Sequence, residues 1–466
     1  MIPQALQFKI GEILNFSRET IEIQPNGSTS VKSGQKIIID LPYSTLVDLE
    51  SLRLEFVGQT SANTDDSLIN EQVFFPRNIA SIIEQLEVKF NNITVQSINN
   101  YGLLYNKLVD LTQNQDACYK KNCLGENADP SYRVSVNPAN NNITVQRGYS
   151  NAPANTAYEN RIDKRNFVIR DFIGILGSSS TTAIDTGLIG NVSLHITLNN
   201  GSCLMKSQYL PDGTTAATGT IASPTFQLDE IVCKMSRYQM NNKYYEALQT
   251  HLSSGMPYEV AFENYETFTG ASSTSFNNSV RFTTAAKSLK WCAALYTYAD
   301  RDQVGVVKLS DAHANDTMLE KSTIVLANMF NNSRYFYTMG GGIDKSFWKV
   351  GSTQLPSTPA TKQDRFTISM ELFNQDNDTM SGINLGIPSL SHFENGYFVD
   401  FLPLGYTRET DGYVMSGLDT LDLPLSITYS STQMGTFTDA TDKTPYVFAC
   451  SDRIVQIYQG QQIKVL

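Results

Sequence analysis

Apolar and polar side chains alternate along most of the chain. Residues 52–56 place apolar side chains at every second position and charged ones between them, which is the pattern of a strand with one solvent-facing side. Residues 36–39 are apolar without alternation, as in a strand covered on both faces. The pattern predicts a mainly β protein, with further alternating strands at 86–90, 192–198, 258–262, 289–293, 366–372 and 425–429.

Helical spacing of apolar residues occurs in only a few segments. It predicts helices over 79–83, 101–111 and 244–252, and Gly255 stands where the last of these would end. Residues 85–98, between the first two helices, are predicted to form a hairpin that turns at Asn91 and Asn92, because asparagine tolerates the left-handed backbone of a tight turn.

Two long segments interrupt these patterns. Residues 113–163 are rich in Asn, Ala, Pro and Tyr, and residues 301–365 contain a Gly-Gly-Gly run. Segments of this length within a compact domain are usually functional or form interfaces. Each lies midway through one half of the chain, and residues 208–225 have the composition of a connection between the halves. The sequence therefore predicts a structural duplication, although no residue-by-residue repeat is visible.

Composition narrows the class of protein. The 466 residues are 41% hydrophobic and 17% charged, with a formal net charge of −11. This is a globular composition, and it lacks the surplus of Lys and Arg that coating nucleic acid requires. No apolar stretch approaches the ~18 to 20 residues of a membrane helix. The first residues do not resemble a signal peptide, so we expect synthesis in the cytosol without secretion.

The cysteines are predicted to be free thiols. All six are sparse, and none forms a CxxC pair. A chain without a secretory signal is expected in a reducing compartment. A bridge between Cys118 and Cys123 within their loop is the alternative.

No arrangement of residues indicates catalysis or metal binding. The four histidines, His195, His251, His313 and His392, have no Cys or His at ligand spacing, whereas a zinc site needs three or four converging donors. The glycines at 340–342 are not followed by the Lys and helix start of a phosphate loop. Residues 376–378 lack the remaining ligands and the glycine of a calcium loop. We therefore predict no catalytic, cofactor-binding or metal-binding residues, and no cofactor.

The remaining charged residues are interpreted as parts of a solvent-exposed surface. Asp439 and Asp442 are interpreted as loop residues rather than an acid/base pair. The basic residues Lys120 and Lys121, and those between 161 and 170, are interrupted by acidic and apolar ones. They are interpreted as a charged loop face or intersubunit salt bridges in preference to a nucleic-acid contact. The 23 Tyr and 23 Phe instead indicate contact with other proteins, because aromatic side chains bury large areas at low entropic cost.

Two stretches resemble a known family. GQKIIIDLP (34–42) followed by SLRLEFVG (51–58), and FFPRNIASIIEQLEVKFNN (74–92) leading into INNYGLLYNKLVDL (98–111), resemble the first half of double jelly-roll major capsid proteins of virophages and polinton-like viruses. Residues 227–270 are similar to the opening of that family's second jelly roll. A basic N-terminal region, present in some capsid proteins, is missing here.

The resemblance implies two tandem eight-stranded jelly-roll barrels with a few short helices and long loop insertions. It implies a major capsid protein without enzymatic activity, located in the virion and assembled inside the host cell. The expected partners are two further copies in a pseudo-hexagonal homotrimer, neighbouring capsomers, and penton and minor capsid proteins, without sequence-specific nucleic-acid binding. The expected division is an N-terminal arm and first strand at 1–30, a first barrel at 31–225 with its insertion at 113–163, a second barrel at 226–445 with its insertion at 301–365, and a C-terminal strand or tail at 446–466.

Several alternatives stay open at this stage. A carbohydrate-binding β-sandwich such as a lectin or adhesin would need exposed aromatic platforms, and Trp291 and Trp348 are few for that role. A β-sandwich glycoside hydrolase or lyase would use loop carboxylates. A minor capsid or vertex protein is more often a single jelly roll. The N-terminal arm, predicted to tether neighbouring subunits, is alternatively a membrane-surface helix; contact with an internal membrane is left open.

Overall fold

The computed structural model describes most of the chain. The described residues are 17–60, 72–76, 78–112, 126, 132–137, 142–147, 164–181, 183–207, 225–240, 242–299, 306–307, 335–373, 390–405, 416–422, 425–438 and 441–466. Residues 1–16 of the predicted N-terminal arm, His313, Cys118, Cys123, Asp439 and residues 376–378 lie outside them.

The strands of the first half are β1 (Ser17–Ile23), β2 (Val31–Lys32), β3 (Lys36–Asp40), β4 (Leu46–Thr60), β5 (Gln72–Phe74), β6 (Ile83–Phe90), β7 (Ile93–Asn99), β8 (Tyr132–Asn137), β9 (Asn142–Arg147), β10 (Lys164–Ile169), β11 (Ala183–Asp185), β12 (Val192–Leu198), β13 (Met205–Ser207) and β14 (Phe226–Gln239). Those of the second half are β15 (Tyr258–Thr269), β16 (Asn278–Thr283), β17 (Ser288–Tyr298), β18 (Val306–Val307), β19 (Thr338–Met339), β20 (Ile343–Val350), β21 (Thr353–Ala360), β22 (Asn395–Gly396), β23 (Asp400–Pro403), β24 (Ser426–Gln433), β25 (Lys443–Tyr458) and β26 (Gln462–Val465).

The helices are short. They are α1 (Tyr101–Thr112), α2 (Ile175–Ser178), α3 (Thr186–Ile189), α4 (Asn242–Ser253), α5 (Lys362–Phe373) and α6 (Leu390–Glu394), with a 3₁₀ turn at Ile79–Ile82. The predicted helices at 101–111 and 244–252 are confirmed. The one at 79–83 is a single 3₁₀ turn that leads directly into β6.

Each half forms two facing antiparallel sheets with the same strand order. In the first half the principal paths are β1-β14-β4-β10 and β3-β12-β6-β7; in the second they are β15-β25-β17-β23 and β16-β24-β20-β21. The first strand of each half therefore pairs with the last, and the second with the one before last, which is the strand order of a jelly roll. Short strands β2, β11 and β26 extend these sheets further.

The two halves correspond element by element. In both, the fourth and fifth principal strands form a hairpin, and a 12-residue helix follows it, α1 in the first half and α5 in the second. The structural duplication predicted from the sequence is confirmed at this level. Two tandem jelly rolls, henceforth the first and second barrel, are thus present.

One hydrophobic core continues through both barrels. It is contributed by the inward-facing residues of all four principal sheets, supplemented by α1. Aromatic rings meet edge to face within it, for example Phe75 with Phe167 at 5.1 Å and Trp291 with Phe401 at 5.6 Å between ring centroids. Such contacts stabilise beyond the area they bury.

The pairings place the barrel boundary later than the sequence predicted. The strand that follows the expected division at 225 is β14, and it pairs with β1 and β4 of the first barrel. We therefore propose that the first barrel extends to residue 240 and that α4 connects it to the second. Residues 446–466, expected to form a C-terminal strand or tail, contain most of β25 together with β26, and β25 is a central strand that pairs with both β15 and β17.

Two predictions within the second barrel are wrong. Residues 301–365 are not one insertion, because the β20–β21 hairpin lies within them. Residues 366–372 are helical rather than extended. Helix α5 begins at a cap in which the backbone N–H and hydroxyl of Thr361 donate to Asp364 at 2.9 and 2.7 Å. Its buried residues include the polar pair Arg365 and Ser369, so apolar alternation did not reveal the helical face.

Candidate functional site

The sequence-predicted chemical groups are dispersed. His195 lies on β12, 3.2 Å from the hydroxyl of Ser193, and burial, followed by the nearby Lys89 and Lys36, lowers its pKa. His251 lies on the exposed face of α4, with its ring nitrogen 3.1 Å from the carbonyl of Pro257. Within the described ranges, no group of three His, Cys, Asp or Glu residues could hold a metal ion.

The described cysteines are buried packing residues. Cys203, Cys233, Cys292 and Cys450 are all free thiols in the core. Burial raises the pKa of each thiol, to about 12 for Cys233. Such thiols are poor nucleophiles, since the thiolate is the reactive form.

The glycine run at 340–342 serves close packing. A Cβ atom at Gly340 would lie 2.0 Å from the ring of Phe398, and one at Gly342 would lie 2.5 Å from Phe276. The backbone N–H of Gly340 donates to the carbonyl of Glu394 at 2.8 Å. These contacts account for the glycines without a phosphate ligand.

A surface groove of about 390 Å³ lies on the outer face of the first barrel and is lined by cationic side chains. Each of these already has a carboxylate partner. Arg53 contacts Glu55 at 2.9 Å, Lys234 contacts Glu55 at 2.8 Å, Arg18 lies 3.8 Å from Asp48, and Arg170 pairs with Glu126. The groove is therefore a network of ion pairs rather than a prepared anion site.

The most extensive polar arrangement is the contact between the barrels, which we call the seam. It is centred on β15, the first strand of the second barrel, which pairs on one side with β25. The other edge of β15 faces the first barrel. Strand edges expose backbone groups that require partners, and the first barrel supplies them.

The segment after α2 binds the edge of β15. The backbone N–H of Ser180 donates to the carbonyl of Ala261 at 2.7 Å, and the N–H of Ala261 donates to the Ser180 hydroxyl at 2.9 Å. The N–H of Glu263 donates to the Ser178 hydroxyl at 2.9 Å. Serine hydroxyls thus replace part of a neighbouring strand.

Gln96, on β7, completes the seam. Its side-chain amide donates to the carbonyl of Glu263 at 2.8 Å, and its side-chain oxygen accepts from the backbone N–H of Ile175 at 2.8 Å. The residue is completely buried. Gly174, with φ +82°, leaves room for it, because a Cβ atom there would lie 2.2 Å from the Gln96 oxygen.

A buried ion cluster supports the same strand from within the second barrel. The Nζ atom of Lys290, on β17, lies 3.1 Å from Glu263 and 3.1 Å from Asp452. Burial alone would lower the pKa of Lys290, but the two carboxylates together outweigh it and raise the pKa. The hydroxyl of Tyr265 also donates to Glu263 at 2.7 Å. Glu263 therefore connects the seam to the interior of the barrel.

Further contacts extend the seam along the chain. The Nζ atom of Lys107, on α1, donates to the carbonyl of Gly396 at 2.8 Å and lies 5.3 Å from the ring centre of Tyr397. The hydroxyl of Tyr335 donates to Glu84. Strand β18 of the second half pairs in parallel with β13 of the first. The two barrels are consequently held side by side at several separate points.

A second buried polar cluster lies beneath α5 and is closed to solvent. Ser346 donates to Asp400, and Arg365 donates to the carbonyls of Ala360 and Ile343 at 3.0 and 3.1 Å. Burial raises the pKa of Asp400, against the opposing effects of Ser346 and Arg365. With Asp400 3% and Arg365 1% exposed, no substrate reaches these groups, and their role is to join the helix to the sheet.

The seam is not predictable from the sequence pattern. Gln96, Ser178 and Ser180 lie in segments without a motif, and their role depends on which strand edge they face. A local signal exists at Gly174, whose positive φ leaves room for Gln96.

The strand order defines a double jelly-roll protein, and three solved structures that are similar to it along most of the chain come from viral capsids. A chain of the PBCV-1 virus capsid is 11% identical with a TM-score of 0.57, and the match covers 99% of both chains. The Faustovirus major capsid protein is 10% identical with a TM-score of 0.56, over 97% of this chain and 92% of that one. A chain of the Sputnik virophage is 11% identical with a TM-score of 0.57, over 100% of this chain and 92% of that one.

These similarities confirm the predicted fold and agree with the resemblance to virophage capsid proteins. No protein-family model matches the sequence, and no curated protein sequence matches it significantly. At about one residue in ten identical, the likeness concerns the fold. Within the described residues, no helix combines the length and the apolar character needed to cross a membrane.

Proposed function

We propose that this chain is a major capsid protein, a building block without enzymatic activity that assembles into an icosahedral viral shell. The observation that carries this proposal is the double jelly-roll fold along the whole chain, shared end to end with a capsid chain of PBCV-1 that it matches over 99% of both lengths. A fold alone does not define a function.

We further propose that the assembling unit is a pseudo-hexagonal homotrimer. Each chain has two similar barrels joined side by side, so three chains would provide six barrels around one axis. Closed cyclic symmetry is the usual arrangement of homo-oligomers. Such trimers would contact neighbouring capsomers, penton proteins and minor capsid proteins, and the protein would be located in the virion after assembly inside the host cell.

The first experiment measures oligomeric state and assembly together. Purified protein should have a mass by light scattering near three times 51.8 kDa, and concentrated or co-expressed material should form closed shells in negative-stain images. A protein that remains monomeric at all concentrations, with no particles, would contradict the proposal.

Carbohydrate binding receives no support from the structure. Aromatic platforms for sugars must be exposed, but Trp291 and Trp348 are 4% and 1% exposed. Trp348 instead packs against Tyr429, at 4.8 Å between ring centroids. The comparisons give no support to this alternative either.

A further inference from the structure

Each seam strand has a counterpart in the other barrel that does not take part in the seam. By strand order, β1 of the first barrel corresponds to β15 of the second, and β7 corresponds to β21. Within one chain, β7 and the segment after α2 cover the edge of β15. The corresponding strands β1 and β21 have no such cover among the described residues.

The seam strands β15 and β7 are less exposed to solvent than their counterparts β1 and β21. In β15 only Glu259 and the last residue, Thr269, are exposed, whereas β1 is exposed at five of its seven positions. Similarly, β7 is buried at Val95, Gln96 and Ile98, whereas β21 is buried only at Ala360. Both β1 and β21 stand at the end of their sheets.

The chemistry of β21 fits a contact made through side chains. Its sequence, TQLPSTPA, contains Pro356 and Pro359 and no charge. Proline cannot donate to a strand ladder. Strand β7 also contacts β15 without sharing a sheet with it, because the Gln96 amide donates to Glu263 and the Thr267 hydroxyl donates to the carbonyl of Asn99. A strand that cannot extend a sheet can therefore still occupy this position.

We propose that β21 of one chain lies against the outer edge of β1 of a second copy, so that the contact between chains repeats the seam within each chain. This proposal rests on the capsid function proposed above and specifies its interface. A contact between two different surfaces is head-to-tail and forms a ring when the rotation closes. In the trimer proposed above, this contact would join the second barrel of each chain to the first barrel of the next.

Cysteine cross-linking tests this arrangement. The background carries Cys118→Ser and Cys123→Ser, since the four remaining cysteines are buried. Thr20→Cys on β1 and Ser357→Cys on β21 change exposed positions that are not involved in packing. In the oligomer, a short bismaleimide should convert most of this double variant into covalent dimers and trimers on a denaturing gel.

The matched control combines Thr20→Cys with Ser279→Cys, an exposed position on β16 at the opposite edge of the sheet that contains β21. It should remain monomeric on the denaturing gel. Light scattering of each variant before cross-linking separates the two proposals. Trimers that cross-link only through Ser279→Cys, or through neither pair, would overturn the interface but leave the trimer intact. Monomers throughout would overturn the capsid proposal itself.

Discussion

At the residue scale, the seam depends on polar side chains that bond to the backbone at the edge of β15, where no strand among the described residues does so. Gln96 satisfies a backbone N–H of the first barrel and a carbonyl of the second, and Lys290 holds the carboxylate of the same Glu263. Buried polar groups left without partners cost more than the hydrogen bonds contribute when they form. Single substitutions here should therefore have large effects.

Replacement of Gln96 by leucine should weaken the contact between the barrels. The change leaves the N–H of Ile175 and the carbonyl of Glu263 without these partners, and we expect a loss of about 3 kcal/mol in the free energy of unfolding. Denaturant unfolding measures it. Gln456→Leu is the control, because its amide contacts only Glu259 and Tyr458, outside the seam, and the change should alter stability by less than about 1 kcal/mol. Equal effects of the two variants would contradict the assigned role.

Lys290 should make stability depend on alkaline pH. Because its pKa is raised above the ordinary 10.5, the folded state holds the proton more tightly than the unfolded state. Its contribution is thus complete below pH 10.5 and is lost as the pH rises through the raised pKa. Lys290→Met, which leaves Glu263 and Asp452 facing each other, should cost about 3 kcal/mol at pH 7.

The measurement for Lys290 is the unfolding free energy of both proteins between pH 7 and 12. The difference between them should be constant up to about pH 10.5 and decrease above it. A difference that already decreases between pH 7 and 9 would contradict this assignment.

At the element scale, alternation predicted six of the sixteen principal strands, namely β4, β6, β12, β15, β17 and β24, and it did not reveal others such as β21. Strand β21 contains two prolines and an exposed face, which in sequence look like a loop although an edge strand tolerates them. Helix α5 buries Arg365 and Ser369, so its amphipathic pattern is hidden. The predicted elements follow one another in the observed order because turns and apolar spacing are local signals. The contacts at the edge of β15 were not predictable, because they depend on segments that are distant in the sequence.

The packing of α1 on the preceding 3₁₀ turn gives a prediction at this scale. Alanine is favoured over glycine within a helix by about 1 kcal/mol, yet a Cβ atom at Gly102 would lie 2.2 Å from the carbonyl oxygen of Ser81. Because the backbone of Ser81 cannot move aside as a side chain can, the steric clash should outweigh the gain in helix propensity. We expect Gly102→Ala to destabilise the protein by about 1 to 2 kcal/mol.

Thermal and denaturant unfolding check this substitution. Gly435→Ala serves as the control, because nothing lies within 4 Å of the added methyl group and its effect should be neutral or slightly stabilising. A stabilised Gly102→Ala protein would show that helix propensity outweighs the close approach.

At the scale of the whole molecule, the shared core and the seam make the two barrels one unit. A protease site introduced at Gly255, in the exposed connection between α4 and β15, tests this directly. After cleavage, the two fragments should separate on a denaturing gel but elute together in native size exclusion, because the hydrogen bonds of the seam and the continuous core do not depend on the connection. Combining the site with Gln96→Leu should allow partial separation under mild denaturant, at a concentration that leaves the cleaved parent intact. Fragments that part without denaturant would mean that the connection, rather than the seam, holds the barrels together.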